Sequence, residues 1–117
     1  LTTFSPLYYG ILSGKYNEGI PQGSRASLDD YGWIKERITP QRIEIVRQLT
    51  TVANDLGITP AQLAIGWILR RKEVSSVITG ATRLEQLDEN LGASEAYEKF
   101  TEMDIDRIFA CLANYQE

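Results

Sequence analysis

Histidine is missing from the 117 residues, which excludes, within this chain, imidazole-based catalytic triads and imidazole metal sites. Cysteine is nearly missing. Cys111 stands alone, so no intrachain disulfide can form and a reducing compartment is the simpler expectation. Long apolar runs are missing too: none approaches the roughly 20 residues that cross a bilayer, and no signal peptide is visible. A cytoplasmic protein without membrane insertion is expected. There is no excess of positive charge either. The net charge of −4 and a pI near 4.9 argue against a nucleic-acid partner. What is present is enough apolar residue, 43%, for one domain of this length to bury a core. The chain opens on Leu1 in the middle of what reads as a structural element, which suggests a fragment or a processed piece.

The most informative stretch is Val74 to Ala93, VSSVITGATRLEQLDENLGA. It reads as a short strand over Val74–Thr79, a glycine at the strand's carboxyl end, and a helix. Thr82 lies three residues before Glu85, the spacing of a capping box, so Thr82 is expected at the helix N-cap. Gly80 removes a Cβ where backbone could approach something closely. Free N–H groups and the positive end of a helix dipole coincide at such a junction, which makes it a natural anion site. An ordinary β-to-α turn with no ligand is the plainer account of the same residues, since one glycine is much weaker than a multi-glycine phosphate motif.

In chain order, Leu1–Phe4 is a brief β-prone start that stops at Ser5-Pro6. Residues 7–25 carry glycines at 10, 14, 19 and 23 and read as loop or very short helix, with Lys15 and Arg25 among Tyr8, Tyr9 and Tyr16. The loop is either a surface loop with scattered charge or one that folds over an anionic ligand. Residues 28–38 suggest a short helix broken at Gly32. Thr39-Pro40 then starts a helix with Ile43, Val46, Leu49, Val52, Ala53 and Leu56 at helical spacing, closed by Gly57. Thr59-Pro60-Ala61-Gln62 repeats the start signal for a helix reaching about Arg71, apolar nearly all round and hence covered on more than one side. A last helix begins near Thr101, with Ile105, Ile108, Phe109 and Leu112 on one face.

This order makes an α/β chain whose two strands, joined through helices, should lie parallel. In parallel α/β structures ligands sit at the carboxyl ends of the strands, where the loop after Phe4 and the Gly80–Thr82 junction both fall. The two loops would then face each other across a phosphate-bearing ligand. Two strands are too few for a parallel sheet covered on both faces. In isolation the chain is expected to be marginal or sticky, with Val77, Ile78, Leu63 and Trp67 lacking partners.

The segments FSPLYYGILSGKY, GIPQGSR, TPAQLAIGWILRR and VSSVITGATRLEQLDENLGA resemble the C-terminal third of the aldo-keto reductases. Within that family the chain is most similar to the voltage-gated potassium channel β-subunit-like group. The resemblance covers essentially all of residues 1–117, most weakly at 26–58 and after 95. It implies the C-terminal portion of a (β/α)8 barrel, its last two strands with their helices, binding NADP(H). Phe4 would stand at the exit of the seventh strand, and Val74–Thr79 would be the eighth.

Position by position, the resemblance implies that Ser5, Pro6, Leu7 and Gly10 line the path from nicotinamide ribose to pyrophosphate. Phe4 would stack on the ring, Lys15 would contact the pyrophosphate and Arg25 the 2′-phosphate region. Gly80, Thr82 and Gln86 would take the 2′-phosphate, and Glu89 with Asn90 would hold the adenine. Gly23 departs from the tyrosine common in channel-type members, and Tyr8-Tyr9 replace smaller residues, so the loop is expected to close differently.

The family's catalytic tyrosine, lysine and aspartate, and their histidine or asparagine partner, belong to the first half of the barrel. No catalytic residue is therefore assigned in this chain, and no metal ligand. Tyr8, Tyr9 and Tyr16 read as loop packing, Trp67 as core, and Cys111 as a buried thiol beside Ile108 and Leu112. Glu85, Asp88 and Glu89 read as a solvated helix face. The resemblance implies hydride transfer from NADPH to a small carbonyl substrate in the whole protein. The alternatives are a cofactor-binding regulatory subunit of a potassium channel, or a truncated product with no function of its own. A homo-oligomer or association with a channel is the partner state the resemblance leaves open.

Overall fold

Two threonine–proline pairs start the helices around which the rest of the chain packs. In the computed structural model, which describes residues 1–113 and 115, the Thr39 hydroxyl accepts the Arg42 N–H at 3.2 Å and Pro40 takes the first helical position. Pro40 carries no N–H to leave unpaired there, and its fixed φ suits the helix. The helix α2 (Pro40–Leu56) ends at Gly57, whose φ of 71° is the left-handed cap conformation that a residue without Cβ adopts most cheaply. The next helix, α3 (Pro60–Leu69), opens with the expected reciprocal capping box. Thr59 Oγ1 accepts from Gln62 N at 3.2 Å, and Gln62 Oε1 accepts from Thr59 N at 3.1 Å. It stops at Leu69, two residues short of the expected end.

The helix α2 serves two cores. Its first half places Ile43 and Val46 against Ile11, Tyr16, Ala26 and Ile34, and its second half packs Val52 and Ala53 with Ile58, Leu63, Ala96 and Ile108. Each fully buried Val or Ile contributes about 1.5–3 kcal/mol by leaving water. As its composition predicts, α3 is covered on several sides, by α2, by β2 (Ser76–Ile78), by α4 (Leu84–Leu91) and by α5 (Ala93–Ala96). Leu63 is therefore buried at 3% exposure and Trp67 and Val77 are half-buried; of the four residues expected to lack partners, only Ile78 is exposed.

Residues 7–31 form a coil of turns with short 3₁₀ pieces at Ile11–Ser13, Arg25–Ser27 and Asp29–Tyr31. Gly32 begins the helix α1 (Gly32–Arg37) instead of breaking one, because its φ of −56° and ψ of −27° are ordinary helical values. After α4, Gly92 leads into α5 and a 3₁₀ turn at Tyr97–Lys99, pieces too short to have a readable period. The last helix, α6 (Glu102–Leu112), starts at Thr101 as expected, with Asp104 completing the box. Its apolar face is narrower than the spacing predicts: Ile108 is buried and Ile105 half-buried, but Phe109 and Leu112 are exposed. An Arg107–Asp55 ion pair at 2.8 Å ties α6 to α2.

The strand β1 (Thr2–Phe4) pairs in parallel with β2, as predicted. The second strand is shorter than the expected Val74–Thr79. Val74 N donates to Arg71 O at 3.0 Å in a turn, and Ser5, with φ of 52°, leaves the sheet so that Thr79 has no partner strand. Among the described residues the sheet has two strands. Thr3 and Val77 are half-buried, whereas Thr2, Phe4, Ser76 and Ile78 are exposed on alternate positions.

Candidate functional site

The register is Thr2 to Ser76, Thr3 to Val77 and Phe4 to Ile78, so both strands end level. The segments starting at Ser5 and Thr79 consequently leave the sheet from one edge. That edge is where a parallel α/β sheet presents ligands. Phe4 closes β1 and is 79% exposed.

Past Phe4 the backbone coils tightly. Ser5, Tyr8 and Tyr9 have φ of 52°, 48° and 60°, and Gly10 has φ of 94°. Left-handed non-glycine residues cost roughly 1–2 kcal/mol each, so the coil needs compensation. It comes from Tyr8 N donating to Ser5 O at 3.1 Å, from Gly10 N and Leu12 N both donating to Leu7 O at 3.0 Å, and from Tyr9 edge-on to Trp33 at 4.7 Å. Pro6 is buried and lines an apolar cavity of about 150 Å³ whose other walls include Leu49, Leu63, Trp67 and Ile108. Leu7 is half-buried.

Gly10 is required by its φ. A Cβ there would stand 3.1 Å from Lys15 Cε and 3.2 Å from Nζ, which the exposed lysine end could relieve by a small shift. Arg25 starts the second 3₁₀ piece, exposed, with its guanidinium 5.8 Å from the Tyr31 ring centroid. Neither Lys15 nor Arg25 belongs to the ion pairs of the described residues. Between them lies Tyr16, 1% exposed, whose hydroxyl oxygen accepts the buried Ala26 N–H at 3.2 Å.

On the other loop the structure corrects the expected cap. Arg83, not Thr82, is the N-cap of α4, and it makes no side-chain cap bond. Thr82 instead donates its N–H at 2.8 Å and its hydroxyl at 3.1 Å to Gln86 Oε1. The helix starts one residue later than the box requires, so the side chain reaching back comes from Gln86 and not Glu85. At Gly80 φ lies outside the left-handed region and nothing of this chain stands within 4 Å of where a Cβ would be, so the backbone there is open. Glu89 is half-buried and Asn90 is 6% exposed. Gln62 holds this helix from α3: its Nε2 donates to Glu89 O at 3.0 Å, passing Gly92, where a Cβ would come within 2.5 Å of it.

The two loops thus share an edge, yet among the described residues no hydrogen bond or ion pair joins Lys15 or Arg25 to residues 80–90. The two loops carry two cations, the Ser5 hydroxyl and open backbone at Gly80 beside a helix start, groups of the kind that meet an anion, whereas the Thr82 hydroxyl proton is engaged by Gln86. The Tyr16–Ala26 and Gln62–Glu89 bonds are contacts that sequence reading missed, because both reach beyond local spacing. Tyr16 and Trp67 pack as expected, and Cys111 is half-buried against the Ile108 core, where burial raises its thiol pKa. Among the described residues no group of three or more His, Cys, Asp or Glu could hold a metal ion, and no helix is long and apolar enough to cross a membrane.

The aldo/keto reductase family model matches residues 1–113. A Schizosaccharomyces pombe protein named as a voltage-gated potassium channel subunit beta is 42% identical over 110 residues. The match covers 92% of this chain and 32% of the yeast protein, so the chain spans about a third of that relative's length.

Proposed function

The chain belongs to the aldo/keto reductase family, and from that premise we propose that residues 1–117 are the C-terminal, cofactor-binding part of a (β/α)8 barrel that reduces aldehydes or ketones with NADPH. The observation that carries this reading is the level register of Phe4 and Ile78, which delivers the cationic loop and the glycine–helix junction to one edge. When bound, NADPH supplies the hydride that a carbonyl carbon accepts. The work of this chain is to hold and orient. Phe4 offers a ring face to the nicotinamide, and Ser5, Pro6, Leu7 and Gly10 line the way to the pyrophosphate. Lys15 supplies charge to the pyrophosphate. Arg25 brings a permanent planar charge to the 2′-phosphate, with Gly80, Thr82 and Gln86 on its far side. Glu89 and Asn90 hold the adenine from α4. No residue of this chain protonates the carbonyl oxygen; that task falls to a tyrosine outside it.

A second reading is favoured by the identity with the yeast protein: a cofactor-binding regulatory subunit of a potassium channel, for which binding is the output. Titration of the intact protein with NADPH and NADH, followed by cofactor fluorescence, tests the shared premise. Arg25→Ala should weaken NADPH by about 1.5–3 kcal/mol, one to two decades, and NADH far less. Lys15→Ala should weaken both alike. Equal losses in the Arg25 variant would move that residue off the 2′-phosphate. Aldehyde-dependent consumption of NADPH by the intact protein, set against capture of a channel's cytoplasmic domain, separates the two readings.

A further inference from the structure

Tyr16 does more than fill space. It is the largest fully buried side chain, and its hydroxyl spans ten residues to take the Ala26 N–H. Ala26 is itself fully buried, and no other acceptor serves that N–H in the turn, where Ser27 and Leu28 donate to Ser24 O and Arg25 O. On either side of this one bond sit the two cations of the loop: Lys15 precedes Tyr16, and Arg25 precedes Ala26. The segment between is held at its start, where Arg47 donates to Asn17 O at 2.6 Å and Gly19 N donates to Tyr16 O at 3.3 Å, whereas residues 20–24 close only the Pro21–Ser24 turn and include Gly23 at φ of 82°. Without the bond, Arg25 would be placed by that turn and by the packing of Ala26 among Ile11 and Ile34, with no hydrogen bond tying it to the Lys15 end of the loop.

We propose that Tyr16 is a positioning residue for cofactor discrimination: its buried hydroxyl sets Arg25 at a fixed distance from Lys15, so that one cation meets the pyrophosphate while the other meets the 2′-phosphate. This rests on the assignment of Arg25 made above. Tyr16→Phe keeps the ring and removes the acceptor, leaving the Ala26 N–H buried and unpaired. The registry between the two cations is then lost, while each cation remains.

The test is the ratio of NADPH to NADH affinity in the intact protein, for the unmodified form, Tyr16→Phe, Arg25→Ala and the double variant. Tyr16→Phe should lower the ratio by roughly three- to tenfold, the scale of one neutral hydrogen bond. The double variant should show no lower ratio than Arg25→Ala alone, because Tyr16 acts through Arg25. A ratio unmoved by Tyr16→Phe but collapsed by Arg25→Ala overturns the proposal and leaves the cofactor assignment standing. A ratio unmoved by both overturns the two together. Hydrogen exchange at the Ala26 amide of the unmodified protein needs no variant to fold: slow exchange is expected, and exchange as fast as an exposed amide would overturn the proposal.

Discussion

Phe4 and Ile78 stand opposite each other at the last paired position of the two parallel strands, 79% and 56% exposed. Thr3 and Val77, one residue back, are half-buried on the other face. A parallel sheet is ordinarily covered on both faces, so this exposed side is where further structure would pack in a barrel.

The 117-residue chain by itself is therefore expected to self-associate through this face and its unpaired strand edges. Replacing Phe4 by Ser and Ile78 by Thr should reduce the association, since both side chains already contact water. Sedimentation velocity checks it; a monodisperse monomer with a sharp cooperative melt would count against the idea.

What was legible in the sequence was what is decided within about four residues. Thr39, Gly57, Thr59 and Thr101 cap helices through bonds to near neighbours, as their local sequence predicts. Thr82 has two acceptors at helical spacing, Glu85 and Gln86, and with Arg83 at the N-cap it bonds Gln86, a choice that spacing alone does not make. The Gln62–Glu89 bond spans 27 positions and the Tyr16–Ala26 bond spans ten, distances at which no period or cap rule operates. The same holds for the positive φ of Ser5, Tyr8 and Tyr9, which residue type argues against. The adenine and pyrophosphate roles proposed for these residues are not readable from chemistry alone; the family resemblance implies them.

Gln62 and Gly92 should be energetically coupled. Gln62→Ala removes one arm of the α3 capping box and the bond to Glu89 O, a loss of about 1–2 kcal/mol. Gly92 has helical φ and ψ, so Ala suits its backbone, but the new Cβ would meet Gln62 Nε2. Gly92→Ala should thus be neutral or destabilising in the unmodified protein, and stabilising by about 0.5–1 kcal/mol once Gln62 is Ala. A double-mutant cycle by urea unfolding measures this; additive changes would mean that the two side chains do not compete for space.

Cys111 should react slowly. Burial raises its thiol pKa, with Arg107 opposing more weakly, so less thiolate exists at a given pH than in an unfolded peptide. The sign for stability follows. The folded pKa is the higher one, so the contribution is fully present below the ordinary thiol pKa and is lost as pH rises through the folded value. Iodoacetamide alkylation against pH should give a midpoint above that of a short cysteine peptide. A coincident profile would show the thiol to be effectively solvated.

Gln86 offers a test in which stability and binding move in opposite directions. Its Oε1 accepts both donors of Thr82, at 2.8 and 3.1 Å, beside the start of α4. Gln86→Glu keeps an oxygen at that place and makes it charged, which strengthens both bonds and places negative charge in the first turn of a helix, where the dipole favours it by about 0.3–1 kcal/mol. The protein should melt no lower, and slightly higher at low salt. The same carboxylate would repel a dianionic 2′-phosphate brought to Thr82 by about 1–2 kcal/mol, roughly one decade in affinity. NADH carries no such phosphate and should lose much less. Calorimetric titration with both cofactors, at two salt concentrations because exposed charges are screened, separates the effects. If NADPH and NADH weaken equally, or neither does, the 2′-phosphate does not sit at Thr82 and Gln86, whatever the melting temperature shows.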